Sequence, residues 1–151
     1  MFISINRVFP VLVFTVSIAV CATSSARPLT ENERKAVESG VSNELKDPYS
    51  AKFTHGDYPA KKANGIYCGK VNARNSYGAY IGNKLFAVMI MKMGDNDYMA
   101  PLVGDISNQE VVASTCASGG YDLRINKALK KSVNDERKAK GFEPLANEYF
   151  Y

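Results

Sequence analysis

The chain has no tryptophan and only one histidine, His55. A Ser–His–Asp or Cys–His catalytic arrangement would have to use this imidazole, which lies in a turn-like segment next to Gly56 and Asp57. There is no Cys-x-x-Cys motif, and no histidine lies near a cysteine in the sequence. The cysteine and histidine spacings that are usual in zinc and thiol-redox sites are therefore missing from the sequence. We therefore expect no cofactor, and no catalytic set is recognisable.

The chain also lacks a strong net charge, internal repeats and low-complexity tracts. Its formal net charge is +4, and Arg7 near the N-terminus accounts for one of these charges. The cations between residues 127 and 140 are interrupted by Asp135 and Glu136. This mixture is typical of a solvated helix face, whereas a nucleic-acid-binding surface has clustered basic residues. We expect no binding to nucleic acid.

Residues 1–26 are typical of a signal peptide. Arg7 precedes an apolar run from Val8 to Val20, and Ser24 and Ala26 fit the small-x-small motif of a cleavage site. The apolar run is shorter than a membrane-spanning helix, which needs about 20 residues. We expect cleavage after Ala26 and a periplasmic or secreted protein.

Cys21 offers an alternative to simple cleavage. Ile18-Ala19-Val20-Cys21 resembles a bacterial lipobox, in which the cysteine is lipidated and anchors the protein to a membrane. That motif has Gly, Ala or Ser before the cysteine, whereas this chain has Val20. We favour a cysteine that is discarded with the signal peptide, and a lipoprotein anchored at Cys21 is the alternative. Contact with a membrane is expected only through one of these two features.

Cys68 and Cys116 are the two cysteines that remain after this cleavage. In an oxidising compartment, a lone cysteine pair in a small domain is usually bonded. Closing the long loop between them would stabilise the fold by roughly 4 kcal/mol. We predict a structural Cys68–Cys116 disulfide.

Two helices are predicted at the ends of the mature region. Thr30 and Glu33 form a capping box, and apolar residues recur every four positions from Val37, which predicts a helix over about residues 31–46. The same spacing predicts a second helix over about residues 122–140.

Strands are predicted between these helices. Their expected bounds are 66–71, 80–93, 98–103 and 110–116. Residues 85–91 are apolar at every position, which is typical of a central strand covered on both faces. The order of elements predicts one α+β domain over residues 27–151, with an antiparallel sheet of about four to five strands flanked by an N-terminal and a C-terminal helix.

The most distinctive stretch of the chain connects two of these strands. It is polar, aromatic and glycine-containing, and its candidate binding residues are Asn72, Arg74, Asn75, Ser76, Tyr77 and Tyr80. One interpretation is a structural loop whose asparagines satisfy backbone groups. The other is a recognition loop for another protein or an envelope glycan.

Three methionines, Met89, Met91 and Met93, alternate along the longest predicted strand, so their thioethers would face one side. Soft sulfur ligands select Cu(I), which would make this a copper site. Leu85 and Ala87 continue the same face, however, and we favour an apolar core stripe with methionine as filler.

Two motifs resemble a widespread set of short exported bacterial proteins. The motifs are Asp47-Pro48-x-Ser50-Ala51-x-Phe53 and Cys68-Gly69-x-Val71-Asn72-Ala73-x-Asn75-Ser76-Tyr77-Gly78-x-Tyr80. The resemblance covers about residues 47–86, and Ala79 replaces the second glycine that is usual in those proteins. Most of them have no assigned function, so the resemblance implies a bacterial envelope location and supplies no catalytic residues.

These features favour a non-enzymatic exported envelope protein that binds another macromolecule, as an inhibitor, an immunity factor or a secretion-system accessory does. A small cell-wall hydrolase working through His55 is one alternative. A periplasmic copper binder is the other.

Overall fold

The computed structural model describes residues 26–59 and 65–151. Most of the predicted signal peptide, including Cys21, lies outside the described residues. No helix in these two ranges is long and apolar enough to cross a membrane. The described chain has a mixed α/β fold with three α-helices and two antiparallel sheets, one of three strands and one of two.

The first helix, α1, is Glu31–Ser42, and it begins with the predicted capping box. The Thr30 Oγ1 accepts a hydrogen bond from the backbone N–H of Glu33, whose carboxylate accepts one from the backbone N–H of Thr30 at 2.8 Å. The helix ends before the predicted residue 46, because Asn43 caps it and the chain turns toward a 3₁₀ turn at Pro48–Ser50.

The larger sheet has the strand order β1–β2–β3, with every neighbouring pair antiparallel. Its strands are Lys52–Thr54, Ile66–Asn72 and Lys84–Met89. The smaller sheet pairs β4, Met91–Lys92, with β5, Tyr98–Met99.

Strand β3 is covered on both faces around residues 86–88, as its apolar run predicts, but in the order β1–β2–β3 it is the last strand rather than the central one, and Met89 is exposed. Phe86 and Val88 are buried on the face covered by α1, where they share a core with Val37. Ala87 is buried on the opposite face, where it packs with Cys116. A strand buried on both faces needs no polar alternation.

The predicted strand over residues 110–116 is wrong. These residues belong to the second helix, α2, which is Gln109–Ser118. The Asn108 side chain starts this helix by accepting a backbone hydrogen bond from its first turn. Val112 and Cys116, four residues apart, form its buried face against the sheet. The adjacent valines favour a strand locally, but the cap and the burial of this stripe outweigh that propensity.

The third helix, α3, is Lys130–Ala139, and it is shorter than the predicted helix over residues 122–140. The Asn126 side chain instead caps a separate 3₁₀ turn, Lys127–Leu129, which leads into α3. Val133 of α3 packs on α2 in a core of its own.

Arg137 does not belong to the solvated helix face that the sequence suggests. It is 4% exposed, and its guanidinium has a hydrogen-bond acceptor for each nitrogen. The acceptors are the backbone oxygens of Ala117, Tyr121 and Glu143 and the carboxylate of Asp122. A buried cation is tolerated only with such partners, so Arg137 joins α3 to the end of α2.

The predicted disulfide is present between Cys68 and Cys116, with a Cα–Cα distance of 6.0 Å. Because residues 110–116 are helical, the bond joins strand β2 to helix α2 rather than joining two strands. Both cysteines are buried, together with Ala87 and Val112.

The methionines do not form the core stripe that we favour from the sequence. Met89 is 38% exposed and Met93 is 59% exposed, whereas Ala87 on the same strand face is fully buried. Helix α2 covers that face at Ala87, and within residues 26–59 and 65–151 no methionine belongs to an apolar core cluster. The methionines are therefore not core filler, and the interpretation that we favour from the sequence is wrong.

Reduction of the disulfide should lower the free energy of unfolding by roughly 4 kcal/mol, because the unfolded chain regains the entropy of a 48-residue loop. Urea unfolding with and without dithiothreitol measures this change. The Cys68→Ala/Cys116→Ala double variant is the control, since its midpoint should not respond to dithiothreitol. An equal response in the protein and the control would contradict the assignment.

Replacing Glu33 by glutamine should destabilise the protein by about 1.5–3 kcal/mol near neutral pH, because hydrogen bonds to a charged group are lost. The buried Glu33 carboxylate accepts two bonds from Arg27, at 2.7 and 2.8 Å, besides those from Thr30. The Arg27 hydrogen bond is the main cause that lowers the pKa of Glu33.

A lowered pKa means that the Glu33 carboxylate stabilises the fold above its unfolded value of about 4.3. This contribution is lost as the pH falls through the lower folded value. The difference between the protein and Glu33→Gln in urea midpoint should therefore shrink in acid. The exposed Glu31→Gln variant is the control and should change the midpoint much less; similar losses in both variants would refute the special role of Glu33.

Candidate functional site

The 72–80 segment is a short hairpin between β2 and β3. Arg74 lies opposite Tyr80 in an antiparallel bridge, and the backbone N–H of Asn75 donates to the oxygen of Ala79 at 2.9 Å. Gly78 closes the turn with a φ of 79°, a conformation that glycine adopts without strain.

Asn75 holds this turn together through its side chain. Its Oδ1 accepts hydrogen bonds from the backbone N–H groups of Tyr77 at 2.9 Å and Ala79 at 3.1 Å. Asn75 is therefore a structural residue, which agrees with the interpretation that asparagines in this loop satisfy backbone groups. The loop backbone is held in one conformation that sets the direction of its neighbours.

Tyr80 is fixed between two cations and the chain before β1. Lys52 Nζ lies 4.6 Å from the centre of the Tyr80 ring, and Arg74 Cζ lies 5.3 Å from it. The Tyr80 hydroxyl donates to the backbone oxygen of Ser50 at 3.3 Å. The Ser50 hydroxyl in turn accepts a hydrogen bond from the backbone N–H of Arg74 at 2.8 Å. The two motifs of the sequence resemblance thus meet at Ser50.

Two further tyrosines project from this region. Tyr77 is 94% exposed, and Tyr49, next to Ser50, is fully exposed. With the cation-flanked Tyr80 ring they form one surface, defined by Tyr49, Lys52, Arg74, Tyr77 and Tyr80 and called the tyrosine surface below. Large apolar side chains held in water by a hydrogen-bonded loop are typical of contact surfaces.

The other predicted loop residues have different environments. Ser76 is exposed at the turn. Asn72 is half-buried at the end of β2, and its Oδ1 has no hydrogen-bond partner among the described residues. Sequence reasoning missed Tyr49 and Lys52 as members of the surface. Their place in the same motif as Ser50 was the signal, but only the tertiary contact to Tyr80 links that motif to the loop.

His55 is not part of the tyrosine surface, and each of its two ring nitrogens contacts another side chain. Its Nε2 lies 3.0 Å from a carboxylate oxygen of Glu38, and its Nδ1 lies 2.9 Å from the hydroxyl of Tyr67. Burial raises the pKa of the Tyr67 hydroxyl, which keeps it neutral. The carboxylate, the imidazole and the hydroxyl are thus in contact, but Tyr67 is fully buried, so its hydroxyl is not presented to a substrate as a nucleophile.

His55 also borders a cavity of about 240 Å³ beside the disulfide, lined in part by Gly69, Tyr121 and Leu123. Tyr121 is fixed, because its hydroxyl accepts a hydrogen bond from the backbone N–H of Cys68 at 2.9 Å. Burial raises the pKa of Tyr121. Within residues 26–59 and 65–151, no group of three or more His, Cys, Asp or Glu residues is arranged to hold a metal ion.

Comparison of the chain with protein-family models, with curated proteins and with solved structures finds no match.

Proposed function

We propose that this chain is an exported bacterial envelope protein that has no catalytic activity and binds another protein through the tyrosine surface. An inhibitor, an immunity factor or a secretion-system accessory would act in this way. The observation that carries the proposal is the near-complete exposure of Tyr77, on a hairpin turn held by its own hydrogen bonds, and of Tyr49, on the neighbouring Pro48–Ser50 turn.

Rigid exposed tyrosines favour tight binding for two reasons. A tyrosine buries a large area on contact while few of its bonds must be ordered, and tyrosine and arginine are enriched among the residues that dominate binding energy. A loop that is already ordered loses little entropy when a partner binds. At 94% exposure, nearly the whole Tyr77 side chain is accessible to a partner.

The charge of the surface indicates the partner's chemistry. Lys52 and Arg74 flank the ring of Tyr80, so the surface is aromatic and cationic. Complementary charge speeds association and excludes wrong partners. The partner protein is therefore expected to present carboxylates around an apolar contact. An envelope glycan is the competing occupant, since tyrosine rings also stack on sugars.

The hydrolase alternative receives no support from His55. Glu38 and Tyr67 occupy both ring nitrogens, and Cys68 is held in a disulfide rather than as a thiol. A hydroxyl beside a histidine can act as a nucleophile only where a substrate reaches it, and Tyr67 is fully buried.

The proposed export agrees with the contacts of Arg27, the first residue after the predicted cleavage site. Its backbone pairs with Tyr58, and its guanidinium pairs with Glu33. Cleavage after Ala26 would leave both contacts in place. The mature chain, residues 27–151, is then proposed to be one domain.

We also propose that the two small sheets act as one antiparallel sheet of four strands. Val88 pairs with Leu102, and Val103 donates a backbone hydrogen bond to Ala87 at 2.8 Å. These contacts support a continuation of β5 alongside β3.

Tyr77→Ala should weaken partner binding by about tenfold or more, as loss of a central interface residue does, while the urea midpoint stays unchanged. The sharpest measurement places a photo-crosslinking amino acid at position 77 and, as a matched control, at Tyr151, another exposed tyrosine (61%) on the C-terminal tail. Crosslinking is done in intact cells, followed by mass spectrometry and by affinity measurement with the captured protein.

The expected result is a discrete protein adduct from position 77, absent at 151, whose affinity falls in Tyr77→Ala and Arg74→Ala. Adducts to glycan alone would identify an envelope glycan, rather than a protein, as the ligand of the tyrosine surface. Equal crosslinking from the two positions, or equal affinity in the variants, would overturn the proposal.

A further inference from the structure

The strands on either side of the 94–96 turn form one continuous antiparallel ladder. The opposite pairs are Met89 with Pro101, Met91 with Met99, and Met93 with Asp97. The first and last of these pairs are joined by backbone hydrogen bonds of 3.0 and 2.9 Å. All three pairs fit one register, so no residue is inserted at Ile90. Odd-numbered residues therefore share one face of the ladder, and even-numbered residues share the other.

All methionines of the chain except Met1 lie on this odd-numbered face. Met89, Met93 and Met99 are 38%, 59% and 49% exposed, and Met91 between them is half-buried. Methionine that fills a core is enclosed by other apolar side chains. Here the even-numbered face supplies the core residues, Ile90 and Ala100 among them. The methionines occupy the part of the odd-numbered face beyond Ala87, which is buried under α2.

The spacing brings the thioethers of Met91, Met93 and Met99 within reach of one point. Met89 is too far away to share an ion with Met93, because residues four apart on one strand are about 13.6 Å apart. Cα atoms of a hydrogen-bonded antiparallel pair such as Met91 and Met99 are about 5.5 Å apart. Residues two apart on one strand, such as Met91 and Met93, are about 6.8 Å apart. Each methionine side chain is unbranched and has three rotatable bonds, so sulfurs from these positions can converge on a single ion.

The charge on this face favours a cation. Asp97 lies opposite Met93 and is the only charged residue among the ladder pairs of the methionine face. Lys92 lies on the other face, opposite Tyr98. The one nearby carboxylate is therefore on the side of the thioethers, and the nearby ammonium is on the side away from them.

We propose that Met91, Met93 and Met99 bind one soft monovalent cation, Cu(I), through their thioether sulfurs. Thioethers select Cu(I), whereas hard cations prefer oxygen ligands. Asp97 lowers the net charge of the bound ion without replacing the sulfur ligands. This site lies at the end of the ladder remote from the 72–80 loop, and it does not depend on the proposed partner binding.

The test is an anaerobic titration of the purified protein with Cu(I) against a chromogenic Cu(I) chelator. Every sample carries Cys21→Ser, so that this thiol cannot bind the ion, and keeps the Cys68–Cys116 disulfide intact. We expect one Cu(I) per chain. Met91→Leu and Met99→Leu, which keep the apolar side-chain volume, should each weaken affinity by about tenfold or more. Tyr77→Ala is the matched control and should bind Cu(I) normally.

A second readout is direct. NMR of the methionine methyl groups, with Ag(I) as a redox-inert substitute for Cu(I), should shift the resonances of Met91, Met93 and Met99 at one equivalent and leave Met1, where present, unshifted. Absence of a one-to-one complex, unshifted methyl resonances, or unchanged affinity in both leucine variants would each overturn the site. Loss of partner capture in leucine variants that never bound Cu(I) would instead identify the methionine face as a protein contact.

Discussion

The Cys68–Cys116 disulfide is the constraint on which the rest of the structure depends. It ties the middle strand of the larger sheet to α2, the helix that covers one face of that sheet. With α1 on the other face, β3 is enclosed from both sides and its continuous apolar run is accommodated. A domain of this size has a stability of about 5–15 kcal/mol, so a bond that contributes roughly 4 kcal/mol is a large share.

The disulfide lies in the buried centre of the molecule, and two groups of exposed side chains lie at opposite ends of β3. The tyrosine surface lies at the end where β3 begins, held by the contacts of Ser50 with Arg74 and Tyr80. The methionine face, formed by Met89, Met91, Met93 and Met99, lies at the other end, where the chain continues from β3 into β4. The disulfide and Arg137 together keep α2 and α3 stacked behind the sheet. Neither end is needed to close the core, which leaves both free for contacts with other molecules.

Sequence patterns predicted the structure correctly where the chemistry of one or two residues determines it. Thr30 and Glu33 predicted the start of α1, since a capping box satisfies helix amides whatever packs nearby. The presence of two cysteines in the predicted mature region correctly predicted the disulfide between them. The rules failed at Val111 and Val112, where β-branched residues favour a strand, because the Asn108 cap and packing on the sheet decided for a helix. At Gly40, a Cβ would overlap the backbone oxygen of Ala100, and such a close approach cannot be predicted from sequence spacing.

The sequence by itself determined that Met89, Met91 and Met93 share one face, because side chains alternate along any strand. It also determined that the 72–80 segment turns, because asparagine and glycine permit the backbone that a tight turn requires. Only the tertiary structure decided which parts of these elements are exposed. Helix α2 packs over Ala87, whereas Met89, Met93 and Met99 remain 38%, 59% and 49% exposed. Burial depends on what the rest of the chain places above a residue, and that is a property of the fold as a whole.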